Sequence, residues 1–176
     1  MTVEIRLLNE CEARAALDDL CHVLSDCVQD GASVGFMSPY TPEDAVTYWS
    51  GVIGSVAAQA TVLLVAEDEG KIIGTVQVGL AQMPNQPHRG DLKKLLVMRA
   101  ARGRGLARLL MDAAEHEAAK RGLTLLVLDT ATGSLAESIY PKLGWERAGV
   151  IPDYALYPDG RYCDTTLFYK RLARIG

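Results

Sequence analysis

The chain has 176 residues, of which 49% are hydrophobic and 23% charged, and a formal net charge of −4. That length holds one ordinary domain with a sizeable core, and the acidic balance excludes a general nucleic-acid surface, which needs a basic field. The longest apolar runs, such as "LTLLVLD" at 123–129, fall well short of the roughly 20 residues of a membrane span.

The N-terminal "MTVEIRLLNE" sets acids inside an apolar stretch, unlike a signal peptide, so a single cytoplasmic domain over 1–176 is expected. "TVEIRLL" alternates as a short first strand, and Asn9 is placed to cap an amphipathic helix over about 10–29. "GASVGFMSPY" interrupts that pattern. Thr41, Pro42, Glu43 and Asp44 then start a second helix, with a capping hydroxyl, a first-turn proline and acids at the positive end of the dipole. It should run to about 58.

Two β-rich runs follow, joined at Asp68-Glu69-Gly70-Lys71 as a hairpin. After the polar loop "MPNQPHRG" come a strand at 91–98, a helix at 104–121 and a fully apolar strand at 123–129, together a βαβ unit. Leu106, Leu109, Leu110 and Ala113 share one face of that helix, and Gly122 stops it. A short helix around 134–140 leads into "GWERAGV", and "YPDGRYCDTTLFYKRL" closes the chain with a turn and a last strand. The fold class is α+β, a mixed sheet with helices on both faces. Cys11, Cys21, Cys27 and Cys163 show neither a C-x-x-C pair nor a zinc spacing, so reduced, buried thiols and no metal are expected.

The most informative stretch is "ARGRGLA" at 101–107. Crossover geometry aims the start of the following helix outward from the sheet, where unpaired amides and the dipole favour an anion. Gly103 and Gly105 bare the backbone there, while Arg102 and Arg104 add mobile positive charge, a combination suited to a diphosphate. No G-x-x-x-x-G-K-[ST] is present. "GASVG" at 31–35 fits the serine elbow G-x-S-x-G around Ser33, but a helical stretch precedes it where a strand is required, and the histidines, His22, His88 and His116, include none late in the chain.

"RGRGLA" at 102–107 and "AESIYPKLGW" at 136–145 resemble the two signatures of the GNAT superfamily of acyl-CoA-dependent N-acetyltransferases. "GASVGFM", "LDTATGSLAESIY" and "YPDGRYCDTTLFYKRL" resemble its tabtoxin-resistance branch. The resemblance implies a mostly antiparallel sheet of six or seven strands whose central pair splays apart. It also implies acetyl-CoA as cosubstrate, a small amine acceptor, an amino-acid-like toxin or antibiotic among them, and a monomer or homodimer with neither nucleic acid nor membrane as partner. A non-catalytic acyl-CoA sensor on the same fold is the alternative.

By that resemblance Leu96, Val97 and Met98 contact the pantetheine arm through main-chain atoms, and Arg102, Gly103, Arg104, Gly105, Leu106 and Ala107 hold the pyrophosphate. An amide at about Val97 or Met98 polarises the thioester, and Tyr140 serves the leaving thiolate. Pro141, which disfavours helical geometry before it, would leave Tyr140 on a last helical turn. Asp91 and Asp129, at the strand ends, are the candidate general bases. Phe36, Tyr40 and Trp49 are placed to wall the acceptor pocket or to serve as packing. Pro141 and Gly133 depart from the common family pattern.

Overall fold

The structure is a computed structural model that describes residues 3–173. The elements run β1 (Glu4–Leu8), α1 (Glu10–Ala15), α2 (Leu17–Gln29), α3 (Pro42–Ala57), β2 (Thr61–Asp68), β3 (Lys71–Leu80), β4 (Arg89–Val97), α4 (Leu106–Lys120), β5 (Leu125–Ala131), β6 (Glu146–Leu156) and β7 (Tyr162–Arg171). The first strand was expected from Thr2, which lies outside the described residues.

Local signals explain most of these bounds. Asn9 accepts from the Glu12 amide at 3.0 Å while Glu12 accepts from the Asn9 amide at 2.9 Å, a reciprocal capping box. Thr41 and Asp44 repeat it at the start of α3, with Pro42 in the first turn. Glu69 and Gly70, at φ +51° and +77°, make the tight turn between β2 and β3.

Two helix expectations fail. The helix expected over 10–29 breaks at Ala16 (φ −93°, ψ 9°), where neither proline nor glycine marks the bend: α1 packs on β1 and α3, whereas α2 must lie across α3, β3 and β4. The helix expected at 134–140 is a series of turns, followed by a 3-10 turn at Pro141–Leu143. Its Ser and Glu side chains bond locally, Glu137 accepting from the Gly133 amide and Ser138 donating to Leu135 O, which competes with helical pairing.

The seven strands form one sheet in the order β1-β2-β3-β4-β5-β7-β6, antiparallel except where β4 meets β5. α4 covers one face over Val62, Leu64, Val76, Val78, Leu92, Leu126 and Phe168. α1, α2 and α3 cover the other over Leu63, Val65 and Leu96, with Trp49 wholly buried. The four cysteines are free: Cys27 and Cys163 are buried as expected, but Cys11 is exposed and Cys21 half-buried.

β4 and β5 approach closely at Gly90. A Cβ there would stand 2.9 Å from Leu123 Cδ1, 3.0 Å from Val78 Cγ1 and 3.1 Å from Leu126 Cδ2, all in the core. Gly90→Ala should therefore overpack the site and cost about 1–3 kcal/mol, read as a lowered urea midpoint; an unchanged midpoint would show that the core yields freely.

Candidate active site

Only three residue pairs, Arg89 with Leu125, Gly90 with Leu126 and Asp91 with Val127, join β4 to β5. Beyond them β4 continues to Val97 on β3 alone, and β5 continues to Ala131 on β7 alone. The sheet is thus split in its middle. Met98 N donates to Ile73 O at 3.0 Å, which makes Gly74 and Val97 a non-hydrogen-bonded pair and turns the Val97 amide and carbonyl away from β3 into the gap. Of the two amides expected to polarise a bound carbonyl, Met98 is therefore excluded, because its donor is spent on β3. Val97 stays available, and its carbonyl accepts from Arg102 Nε at 3.2 Å.

A bulge shapes the same strand. Thr75 pairs with Leu96 and Gln77 with Lys93, so Val76 faces two residues of β4, and Lys94 takes φ +53°. Thr75, buried, donates its hydroxyl to Lys94 O at 3.0 Å and holds the bulge.

The gap opens toward the start of α4. Gly105 caps that helix at φ +77° with no side-chain hydrogen bond to the first-turn amides, and Gly103 takes φ +79°. Nothing lies within 4 Å of a Cβ built on either glycine. Bare amides and open space at a 15-residue helix start form an anion cradle. The arginines, expected as mobile charge, are each paired with an acid. Arg102 bonds Asp30 at 2.7 Å and Arg104 bonds Asp68 at 2.7 Å, while Arg99 holds Asp26 through both its amide and its Nε. Acids that are distant in sequence position them.

Tyr140 is 5% exposed, packed on Phe168 and Trp145. Its backbone is helical (φ −61°, ψ −44°) despite Pro141, which here opens the 3-10 turn; Leu143 and Trp145 donate to Tyr140 O. Burial, with the Asp129 carboxylate, pushes its hydroxyl up to about 12. Asp129 lies two residues past Val127, the partner of Asp91, so by strand alternation both aspartates stand at the mouth of the gap on one face. Asp91 is engaged by Arg89 at 2.5 Å. Among the described residues Asp129 accepts from Thr165 alone, at 3.2 Å through Oδ2.

The other expected wall residues separate. Phe36 stacks edge-on against Tyr40 and Tyr48, whereas Trp49 is core. Ser33 follows α2 and a turn rather than a strand, so the serine elbow is absent. Lys94 and Tyr48 were not singled out in the sequence, although the doubled lysine in "DLKKLL" breaks strand alternation and was a signal of the bulge.

Residues 17–145 match the acetyltransferase (GNAT) family. The chain belongs to that family. It is 35% identical over 115 residues, 64% of this chain and 67% of the relative, to an N-acetyltransferase of the hisH-hisA intergenic region of Azospirillum brasilense. Among solved structures it is similar to a ribosomal-protein-alanine N-acetyltransferase from Brucella melitensis (23% identity, TM-score 0.79, covering 96% of this chain and 99% of that one). It is also similar to a phosphinothricin acetyltransferase from Sinorhizobium meliloti in complex with AcCoA (18% identity, TM-score 0.79, 98% and 90% covered). The split sheet, the glycine-opened helix and the seven-strand order are thus the GNAT fold.

Tyr48, half-buried and accepting from Gln77 Nε2 at 3.0 Å, is also pushed up to about 12 by desolvation. Unfolded tyrosines ionise near pH 10. Between about 10 and about 12 the unfolded chain therefore releases protons that the native one retains, and stability should fall as pH rises through that window. Urea midpoints at pH 8, 10 and 11 should show the fall, with a shallower one in Tyr140→Phe; an identical slope in the variant would mean that Tyr140 ionises near its ordinary value.

Proposed function

We propose that this GNAT protein transfers the acetyl group of acetyl-CoA directly to the primary amine of a small molecule. The observation that carries the reading is the continuity of the split sheet with the uncapped start of α4: one end offers bare amides for a diphosphate, the other a neutral tyrosine beside a free carboxylate. Acetyl-CoA would supply the activated thioester. The amides of Gly103 to Ala107 would hold its diphosphate, with Arg102 and Arg104 at the rim, and Leu96 and Val97 would line the arm.

The Val97 amide, aimed into the gap, is placed to donate to the oxygen on which negative charge develops during attack. Asp129, with Oδ1 free of partners among the described residues, takes the proton of the incoming amine directly or through water, and Asp91 at the gap mouth is its second. Tyr140 then donates to the departing sulfur. Its pKa of about 12 against about 8.5 for a thiol makes outright proton loss uphill by roughly 5 kcal/mol, so its part is a hydrogen bond that is completed as the amine's proton arrives.

An amino-acid-like toxin or antibiotic is the acceptor to which the tabtoxin-resistance motifs point, and the likeness to a phosphinothricin acetyltransferase supports the same class.

Tyr140→Phe should lower kcat by about 100-fold while leaving acetyl-CoA affinity unchanged, measured by thiol release and calorimetry; wild-type turnover would remove Tyr140 from the reaction. With Tyr140 protonated to about pH 12, the rate should show no alkaline decline below pH 10 that this substitution abolishes. Gly105→Glu should abolish acetyl-CoA binding, because its carboxylate would meet the diphosphate. Gly105→Ala separates the effect of charge from backbone strain, and wild-type affinity in the Glu variant would sink the cradle. A protein that binds acetyl-CoA but releases no thiol with any amine would be a sensor.

A further inference from the structure

Four lysines and arginines among the described residues are partly buried: Arg6, Arg89, Lys94 and Lys170. Arg6 pairs with Glu12 and Glu67, Arg89 with Asp91, and Lys170 with Glu115. Lys94 alone has no carboxylate within 4.0 Å; its ammonium donates to the neutral Val34 carbonyl at 2.5 Å and stands 5.2 Å from the Tyr48 ring centroid and 5.9 Å from that of Phe36. A carbonyl and two aromatic faces orient a cation, but they do not neutralise it.

The position of Lys94 is as informative as its lack of a partner. The bulge lets two successive residues of β4 face the α2–α3 side: Lys93 is paired with Gln77, whose amide reaches Tyr48, and Lys94 reaches Tyr48 and Phe36 itself. Lys93 is also without a carboxylate partner among the described residues, with its Nζ 3.1 Å from where a Cβ on Gly79 would stand. Lys94 thus sits against loop 31–41 and within reach of the Asp129 charge, with Lys93 beside it on the same face of the sheet, over β3.

We propose that Lys94, flanked by Lys93, is the subsite for an oxyanion carried by the acceptor, so that the preferred substrate is an amine bearing a carboxylate or a comparable acid. The proposal rests on the acetyltransferase reading above and names the substrate class of that same site. Asp129 would receive the ammonium end and Lys94 the acidic end, opposite charges matched across one pocket. Burial lowers the Lys94 pKa, with Lys93 acting in the same direction and Asp129 against it; a bound anion would restore it.

The test is thiol release from acetyl-CoA with matched acid and amide acceptors: L-methionine against L-methioninamide, L-alanine against L-alaninamide, and β-alanine against β-alaninamide. Wild type should prefer at least one acid over its amide by about 10-fold or more, the range of a hydrogen bond to a charged group. Lys94→Met should raise KM for that acid about 10- to 100-fold more than it raises KM for the matched amide, and Lys94→Arg should recover part of the difference. A lysine that merely clamps loop 31–41 through Val34 would, when replaced, impair acid and amide alike. Equal use of acids and amides, turnover of amides alone, or no acid turned over by a protein that binds acetyl-CoA would each overturn the proposal. Failure to bind acetyl-CoA at all would instead overturn the acetyltransferase reading.

Discussion

Every functional feature of this protein depends on two parallel strands that stop pairing. β4 and β5 share three residue pairs and then part, each held by an antiparallel neighbour on its outer side. Main-chain donors and acceptors in a sheet interior seldom go without partners, so the gap is a row of groups prepared for a ligand backbone or for water. The Lys94 bulge adds a residue to β4 against β3, and bulges bend and twist the strand that carries them. The same distortion turns two successive lysines of β4 toward the α2–α3 side of the sheet.

The two faces of the sheet divide the work. The α4 face supplies the cradle at the helix start and a dense core of Leu110, Met111, Leu126 and Phe168, on which Tyr140 is packed. A tyrosine with its ring so held spends little rotamer entropy in presenting its hydroxyl, and burial keeps that hydroxyl neutral. The α1–α3 face carries the proposed acceptor side, where Phe36 stacks edge to face on Tyr40 and Tyr48 and Ser25 bonds Tyr40 at 3.0 Å. That side includes the loop between α2 and α3, the kind of segment on which substrate choice depends.

Much of this was legible in the sequence because the signals were local. Thr41-Pro42-Glu43-Asp44 and Glu69-Gly70 carry their own geometry, and the apolar face of 106–118 has no reading other than a helix. The bend at Ala16 and the turns at 135–140 were not legible, because packing against α3 decides the first and side-chain bonds from Glu137 and Ser138 decide the second. The glycines and Tyr140 could be picked out by motif. Lys94 could not, since its meaning lies in what is missing around it: a carboxylate partner is present for every other partly buried cation among the described residues, and only coordinates show that.

The arginine cluster shows how an acidic chain handles a local anion site. Asp26, Asp30 and Asp68, from α2, its end and the end of β2, hold Arg99, Arg102 and Arg104. The Arg102–Asp30 pair is exposed by more than a third on both sides, and ion pairs of that kind are worth about 0–1 kcal/mol, so a diphosphate could take over the guanidinium with little loss. Asp68 differs, being 12% exposed with one oxygen buried and unpartnered, so Arg104 is the more firmly held. In the proposed reading, selectivity at the cradle would come from backbone amides bared by Gly103 and Gly105, with the arginines kept oriented and nearly neutralised by their aspartates. A diphosphate would bridge several amides and an arginine at once, which a monovalent anion would not.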